Sequence, residues 1–271
     1  AVTILPAAVL SASYSVWPTG VSTGQQITLV MTVTNSGTGN ANDVYPNTPT
    51  AIGSAGVNLL SSPGASYNLT PGQTAYFTWR YNPTTTGTVY FSGRARGLDV
   101  NSSSMIYSSY VNSQVVSVET PASLTSYFYS LPSYVSTGQV VTVRMLVSNT
   151  GGADAINAMP ETPTKIGTGD MAVLTTPSYQ TIPGYGTSYF TWTYSATGAG
   201  TLSLTSKVNA TDENSGNPVS SNVAQTTVIN IENAVNLAVV IWNAPSVSND
   251  GSTYTVYMTV TNTGQAIALS V

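Results

Sequence analysis

The chain repeats itself at a fixed spacing. Ser22-Thr23-Gly24-Gln25 returns as Ser136-Thr137-Gly138-Gln139 and, more loosely, as Asn249-Asp250-Gly251-Ser252, so that Gly24, Gly138 and Gly251 stand 114 and then 113 residues apart. Val33-Thr34-Asn35-Ser36-Gly37 returns at the same steps as Val147-Ser148-Asn149-Thr150-Gly151 and Val260-Thr261-Asn262-Thr263-Gly264. Pro46, Thr48-Pro49-Thr50 and Ile52-Gly53 recur as Pro160, Thr162-Pro163-Thr164 and Ile166-Gly167, and Tyr76-Phe77-Thr78-Trp79 recurs as Tyr189-Phe190-Thr191-Trp192. A repeat of this length restricts the chain to tandem copies of one small domain, each copy burying a core of its own.

Within a copy the apolar residues alternate, which is the period of a half-buried strand. Ile27, Leu29, Met31 and Val33 share one face; their counterparts are Val141, Val143, Met145 and Val147, then Tyr254, Val256, Met258 and Val260. A second strand carries Phe77, Trp79 and Tyr81 inward, matched by Phe190, Trp192 and Tyr194, and follows the turn pairs Pro71-Gly72 and Pro183-Gly184. A third follows Gly87 or Gly200, with Val89 and Phe91 opposite Leu202 and Leu204 in the alignment. No window sustains a helical period. Short strands punctuated by Gly, Pro, Asn and Ser predict an all-β fold of tandem β-sandwiches.

Composition removes most chemistry from a chain with such a frame. There is no histidine and no cysteine, and only 6% of residues are charged, against about 25% in ordinary soluble domains. The commonest general base, the usual zinc ligands, thiol nucleophiles and disulfides are therefore all missing, and the sequence predicts a protein that is not an enzyme and carries no cofactor or metal. Six Lys and Arg against ten Asp and Glu give a net charge of −4, which lacks the basic footprint a nucleic-acid partner requires. The run Leu237-Ala238-Val239-Val240-Ile241-Trp242 is far shorter than the roughly 20 residues of a membrane span. Asp99-Val100-Asn101-Ser102-Ser103 and Asp212-Glu213-Asn214-Ser215-Gly216 resemble the start of a calcium loop but have no downstream bidentate Glu, and they read as strand-connecting turns.

Val21-Ser22-Thr23-Gly24-Gln25, the alternating strand running into Thr34-Asn35-Ser36-Gly37-Thr38-Gly39, then Thr70-Pro71-Gly72-Gln73 and Phe77-Thr78-Trp79, together resemble the Ig-like tandem repeats of secreted microbial surface proteins, with the cell-adhesion-related domain of bacteria (CARDB-type) the nearest named relative. The resemblance implies Ig-like sandwiches on a cell surface or in extracellular stalks, adhesins, filaments or surface layers, and it brings no catalytic residues with it.

In register, residues 7–120 and 121–232 form two complete repeats, and residues 233–271 an incomplete third. Residues 1–6 fall where a preceding repeat would close or a donated strand would lie, because Val2 and Ile4 align with Val116 and Val118. An opening without a basic segment is not an intact signal peptide, so a processed or excised start is expected. Val256, Met258 and Val260 carry the inward pattern of a sandwich whose other strands are not in these residues. They are expected to be buried, as are Val2 and Ile4, by continuation of a longer polypeptide or by neighbouring subunits through strand addition. Asn68, Asn101 and Asn209 open Asn-X-Ser/Thr sequons, meaningful on an exported chain. Tyr127-Phe128-Tyr129 cannot bury both of its faces, leaving aromatics to pack between domains, meet a neighbour or stack on sugar. These readings predict a non-enzymatic extracellular structural array, with an adhesin or a module binding surface glycans as the alternative.

Overall fold

The computed structural model describes residues 7–243 and 250–270, and among them every regular element is a strand. They fall into two compact units. The first is built from the residues up to Ala122 together with Gly151–Asp154 and Asp212–Asn217, the second from Ser123–Thr150, Ala155–Thr211 and the residues from Pro218 onward.

In the first unit one sheet runs Leu10–Trp17, Ile27–Asn35, Thr74–Pro83, Val57–Ser61, in that order and antiparallel throughout. The opposing layer is laid down in two halves by the same two stretches of chain. Thr50–Gly53 pairs with Gly87–Gly93, which pairs in turn with Val116–Glu119; beyond the break at Arg94, Ala95–Asp99 pairs with Ala41–Pro46 on one side and Met105–Tyr107 on the other. Gly20–Ser22 closes the edge by running parallel to Val116–Glu119. This is the strand order of an immunoglobulin-type sandwich. The second unit reproduces it, with Leu124–Phe128, Val140–Asn149, Thr187–Gly198 and Asp170–Thr175 in one sheet and Tyr134–Ser136 running parallel to Ile229–Glu232 at the edge of the other.

Alternation becomes layering directly. Ile27, Leu29, Met31 and Val33 are fully buried, as are Phe77 and Phe91, and Trp79 sits in the same core. Val141, Val143, Met145, Val147, Phe190 and Trp192 repeat the arrangement. The strand entering each opposing layer carries a bulge at one equivalent position, where Asp43 and Asn157 adopt left-handed φ values of 50° and 54° and the register shifts between Ala41 and Val44 and between Ala155 and Ala158. Asp and Asn tolerate that conformation better than other residues with a side chain.

The strands are pinned by a buried asparagine at the end of each Val-Thr/Ser-Asn segment. Asn35 Oδ1 accepts from the Val9 amide at 3.3 Å and the Gly37 amide at 3.1 Å, while its Nδ2 donates to Gly39 O at 2.8 Å and Leu69 O at 3.0 Å. Asn149 likewise accepts from the Ser123 amide and donates to Ile182 O and Pro183 O. The glycine two residues on lets the backbone close against the first strand: a Cβ on Gly37 would lie 2.4 Å from Ala7 O, and one on Gly151 1.9 Å from Pro121 O.

Each core also contains a tyrosine whose hydroxyl has no partner. Tyr81 and Tyr194 occupy equivalent positions, and burial pushes both phenols up to about 12. Tyr81→Phe and Tyr194→Phe are expected to raise stability, since leaving such a group unsatisfied costs about 1–3 kcal/mol. Because the folded phenols hold their protons up to about 12 while the unfolded ones release them near 10.0, folding stability is unaffected by them below 10.0 and falls as pH rises from there through about 12. Thermal melts between neutral pH and pH 12 should show alkaline destabilisation that begins later in the phenylalanine variants; identical pH profiles would contradict it.

Candidate assembly surface

After the second sandwich, Leu237–Trp242 pairs antiparallel with Tyr257–Asn262. The register is that of the first two paired strands of each unit. Leu237 faces Asn262, Val239 faces Val260 and Ile241 faces Met258, as Leu10 faces Asn35, Ala12 faces Val33 and Tyr14 faces Met31. The local pins are present too: Asn262 Oδ1 accepts from the Asn236 and Gly264 amides at 3.3 and 3.0 Å, its Nδ2 donates to Ala266 O at 2.8 Å, and a Cβ on Gly264 would meet Ala234 O at 2.0 Å. This pair thus shares the register and the local contacts of the first two paired strands of each unit.

What differs is the cover. Met31 and Met145 are 0% exposed, whereas their counterpart Met258 is 63% exposed, and Ile241, which faces it, is 62% exposed. Val239 and Leu237 are exposed on the first of these strands, Val256 is exposed just before the second, and Val260 is half-buried. The reverse face is apolar as well: the rings of Trp242 and Tyr257 stack at 4.8 Å and 20°, and Trp242 Nε1 donates to Thr259 Oγ1 at 3.2 Å. A two-stranded ribbon with apolar groups on both faces is marginal in water by itself. Val2 and Ile4, the other residues expected at an assembly contact, lie outside the described residues.

The remaining sequence candidates are dispersed. Asn68, Asn101 and Asn209 are all exposed, at an edge strand, a turn and a strand respectively. Asn68 Oδ1 accepts from the Asp43 amide, and Asn209 is held at both ends of its amide, donating to Glu161 Oε1 at 3.0 Å and accepting from Ser220 Oγ at 2.7 Å. The two calcium-like loops spend their carboxylates on the fold. Asp99 accepts from the amides of Ala8, Asn101 and Ser102, and the bond from Ala8 chiefly holds its carboxyl below the usual value. Burial raises the Asp212 carboxyl, but bonds from the Ala122 and Ser215 amides and the Ser215 hydroxyl leave it below the usual value as well.

The Tyr127-Phe128-Tyr129 run divides as alternation requires. Phe128 turns toward Trp192, with the ring centroids 6.1 Å apart, while Tyr127 and Tyr129 lie on the outer face. There they meet two residues that sequence reading did not single out: Tyr129 and Tyr189 lie 6.0 Å apart, with the Arg144 guanidinium 4.8 Å from the Tyr189 ring and 5.8 Å from the Tyr129 ring. Strand register would have found the pair, since Tyr189 sits opposite Leu146 and the Tyr129 amide donates to Arg144 O.

No protein-family model matches the sequence, and no curated protein does. Among solved structures, the chain is similar to the C-terminal domain of the AgI/II polypeptide BspA of Streptococcus agalactiae (11% identity over 80% of this chain and 99% of that one, TM-score 0.31). It is also similar to red sea bream transglutaminase (10%, 83% of this chain and 31% of that one, 0.28) and to adhesin InvE of Yersinia pseudotuberculosis (15%, 82% and 60%, 0.28). At such scores these neighbours say nothing of what this chain binds.

If the Asn262 and Gly264 contacts hold the terminal pair, Gly264→Ala should release it alone. Hydrogen exchange at the Ala238 and Thr259 amides, which lie in the hydrogen-bonded pairs of this ribbon, is expected to accelerate, with the melting of the two sandwiches unchanged; unaltered exchange would show that the close approach is not needed.

Proposed function

We propose that this chain is a non-enzymatic extracellular structural protein, an Ig-like repeat array of the CARDB-type kind that forms a surface stalk, filament or surface-layer component, in which the half-built third repeat is covered by polypeptide from outside residues 1–271. The observation that carries this reading is the terminal strand pair, which keeps the register, the asparagine and the glycine of a repeat but leaves Met258 and Ile241 in solvent. Burying an aliphatic or methionine side chain of that size stabilises by roughly 1.5–3 kcal/mol, so the missing half of the sandwich has a strong driving force to dock, whether it is continuous with the chain or supplied by a neighbouring subunit. The surface chemistry agrees with close lateral packing. Outward strand positions are largely Ser and Thr, and with 6% charged residues two such faces can meet with little charge to desolvate.

The test compares native material with isolated residues 1–271. Oxidative footprinting should label Met258 in the isolated chain and leave it protected in the native assembly, with a crosslink from the Tyr257–Asn262 strand identifying the covering segment. Equal labelling of Met258 in both would contradict the proposal.

An adhesive role is favoured by a different observation, the outer-face cluster of Tyr127, Tyr129, Tyr189 and Arg144. The equivalent positions in the first unit are Ser13, Ser15, Tyr76 and Val30, so the frame itself does not call for it. Aromatic rings with an adjacent guanidinium suit contact with a partner surface or a glycan. On this reading the double variant Tyr189→Ala with Arg144→Ala abolishes attachment of the native protein to cells or glycan-coated surfaces and leaves its melting temperature unchanged; undiminished attachment would remove this role.

A further inference from the structure

A cleft lies over the outer half-sheet of the first unit, where the Ala41–Pro46 and Ala95–Asp99 strands pair. Its volume is about 560 Å³, and Asp43, Tyr45, Ser66, Arg96, Leu98 and Met105 line it. That is within the range of small-molecule sites, about 300–1,000 Å³. The bulge puts Asp43 on the rim, its left-handed backbone tied down by the bond from its amide to Asn68 Oδ1 at 3.1 Å. Tyr45 is fixed at both ends, its hydroxyl donating to Pro63 O at 2.6 Å and its ring meeting Phe77 edge-on at 5.9 Å and 75°. Asp43 and Arg96 line the same cavity without pairing: the ion pairs among the described residues are Lys165 with Asp170 and Lys207 with Glu161. A carboxylate acceptor, a guanidinium donor and a rigid aromatic plate are thus held around one opening.

The second unit supplies the comparison. A cleft of about 330 Å³ occupies the same place, with Asn157 for Asp43, Asn209 for Arg96, Met159 for Tyr45 and Tyr179 for Ser66. The charged pair is exchanged together for two amides, and the tyrosine moves from the strand to the facing loop. Both clefts therefore keep one ring and one set of donors and acceptors, but in the second Asn209 is already bonded to Glu161 and Ser220. Only in the first are both polar side chains uncommitted within the fold.

We propose that the Asp43–Arg96 cleft of the first unit is a saccharide-binding site, with Tyr45 packing against the C–H face of a pyranose while vicinal hydroxyls donate to Asp43 and accept from Arg96. Such bonds are charge-assisted and stronger than neutral ones, and a neutral hydroxyl-bearing ring answers both signs of charge at once. Exchange of the pair for amides in the sister cleft discards charge and retains hydrogen-bonding groups, a change that weakens hydroxyl binding without removing its partners, whereas a charged peptide would lose both of its counter-charges. The site depends neither on how the terminal strand pair is covered nor on the Tyr129–Tyr189 face.

The experiment is an amide-shift titration of residues 1–271 with trisaccharides of glucose, mannose, galactose and N-acetylglucosamine in both anomeric linkages, alongside a Gly-Lys-Gly-Glu-Gly peptide. The proposal expects at least one trisaccharide to give saturable shifts at Asp43, Tyr45, Arg96 and Met105, with Asp43→Asn and Arg96→Ala each weakening it about tenfold or more and Asn157→Ala leaving it unchanged. Both substituted side chains are exposed, and unchanged shifts elsewhere in the variants confirm that they fold. Absence of saturable shifts at the cleft with every trisaccharide, insensitivity to both substitutions, or tighter binding of the peptide would each overturn it.

Discussion

The architecture depends on one buried amide per repeat. Asn35 and Asn149 are almost wholly enclosed, and each joins its own strand to the start of the first strand and to the segment leading back into the sheet through both ends of one side chain, Asn35 tying down the following turn as well. No apolar residue could satisfy those backbone groups, and a buried donor or acceptor left without a partner is costly. The neighbouring glycines belong to the same constraint, because the asparagine reaches its partners only where the turn lies against the backbone of the first strand. With these contacts fixed, the alternation of Ile27, Leu29, Met31 and Val33 has one face to bury, and the opposing layer follows.

This is also why the fold was so legible. The motif that pins the strands is the motif that repeats, so aligning Asn35, Asn149 and Asn262 recovers strand register, and the inward positions of Trp79 and Trp192 follow from alternation alone. The opposing layer was harder. Its two halves come from single stretches of chain broken at Arg94, and nothing in the period-two pattern marks the break. The bulge at Asp43 and Asn157 is equally silent, because aspartate and asparagine serve ordinary turns as readily as a left-handed residue within a strand. Tyr81 and Tyr194 read correctly as inward, but their lack of a hydroxyl partner depends on what surrounds them in three dimensions. The clefts could have been suspected from the places where the copies disagree. Asp43 against Asn157 and Arg96 against Asn209 change as a pair, although they lie more than fifty residues apart in each copy, and only strand pairing reveals that they face one opening.

The copies disagree chiefly where they face solvent. The inward faces are interchangeable between copies, while the outward faces diverge. At one cross-strand position the first unit has Ser15 and Val30, the second Tyr129 and Arg144, and the terminal pair Trp242 and Tyr257. Core packing is indifferent to these outward residues, so they are free to be set by whatever the surface meets. A chain without histidine or cysteine and with few charges retains aromatic stacking, hydroxyl chemistry and apolar burial as means of contact, and the tyrosine face, the cleft and the exposed strand pair each present one or more of them.

The asparagine and glycine contacts of the terminal pair span only the stretch from Asn233 to Ala266. Within each repeat, then, the information that sets register is concentrated near its beginning and is local in sequence, which keeps the entropy of loop closure low for the first pairing event. A repeat emerging N-terminus first can fix its opening hairpin as a template before the strands that will cover it have been made or have arrived. Later strands need only add to an edge whose alignment is already decided, and an error in one repeat has no route by which to shift the register of the next.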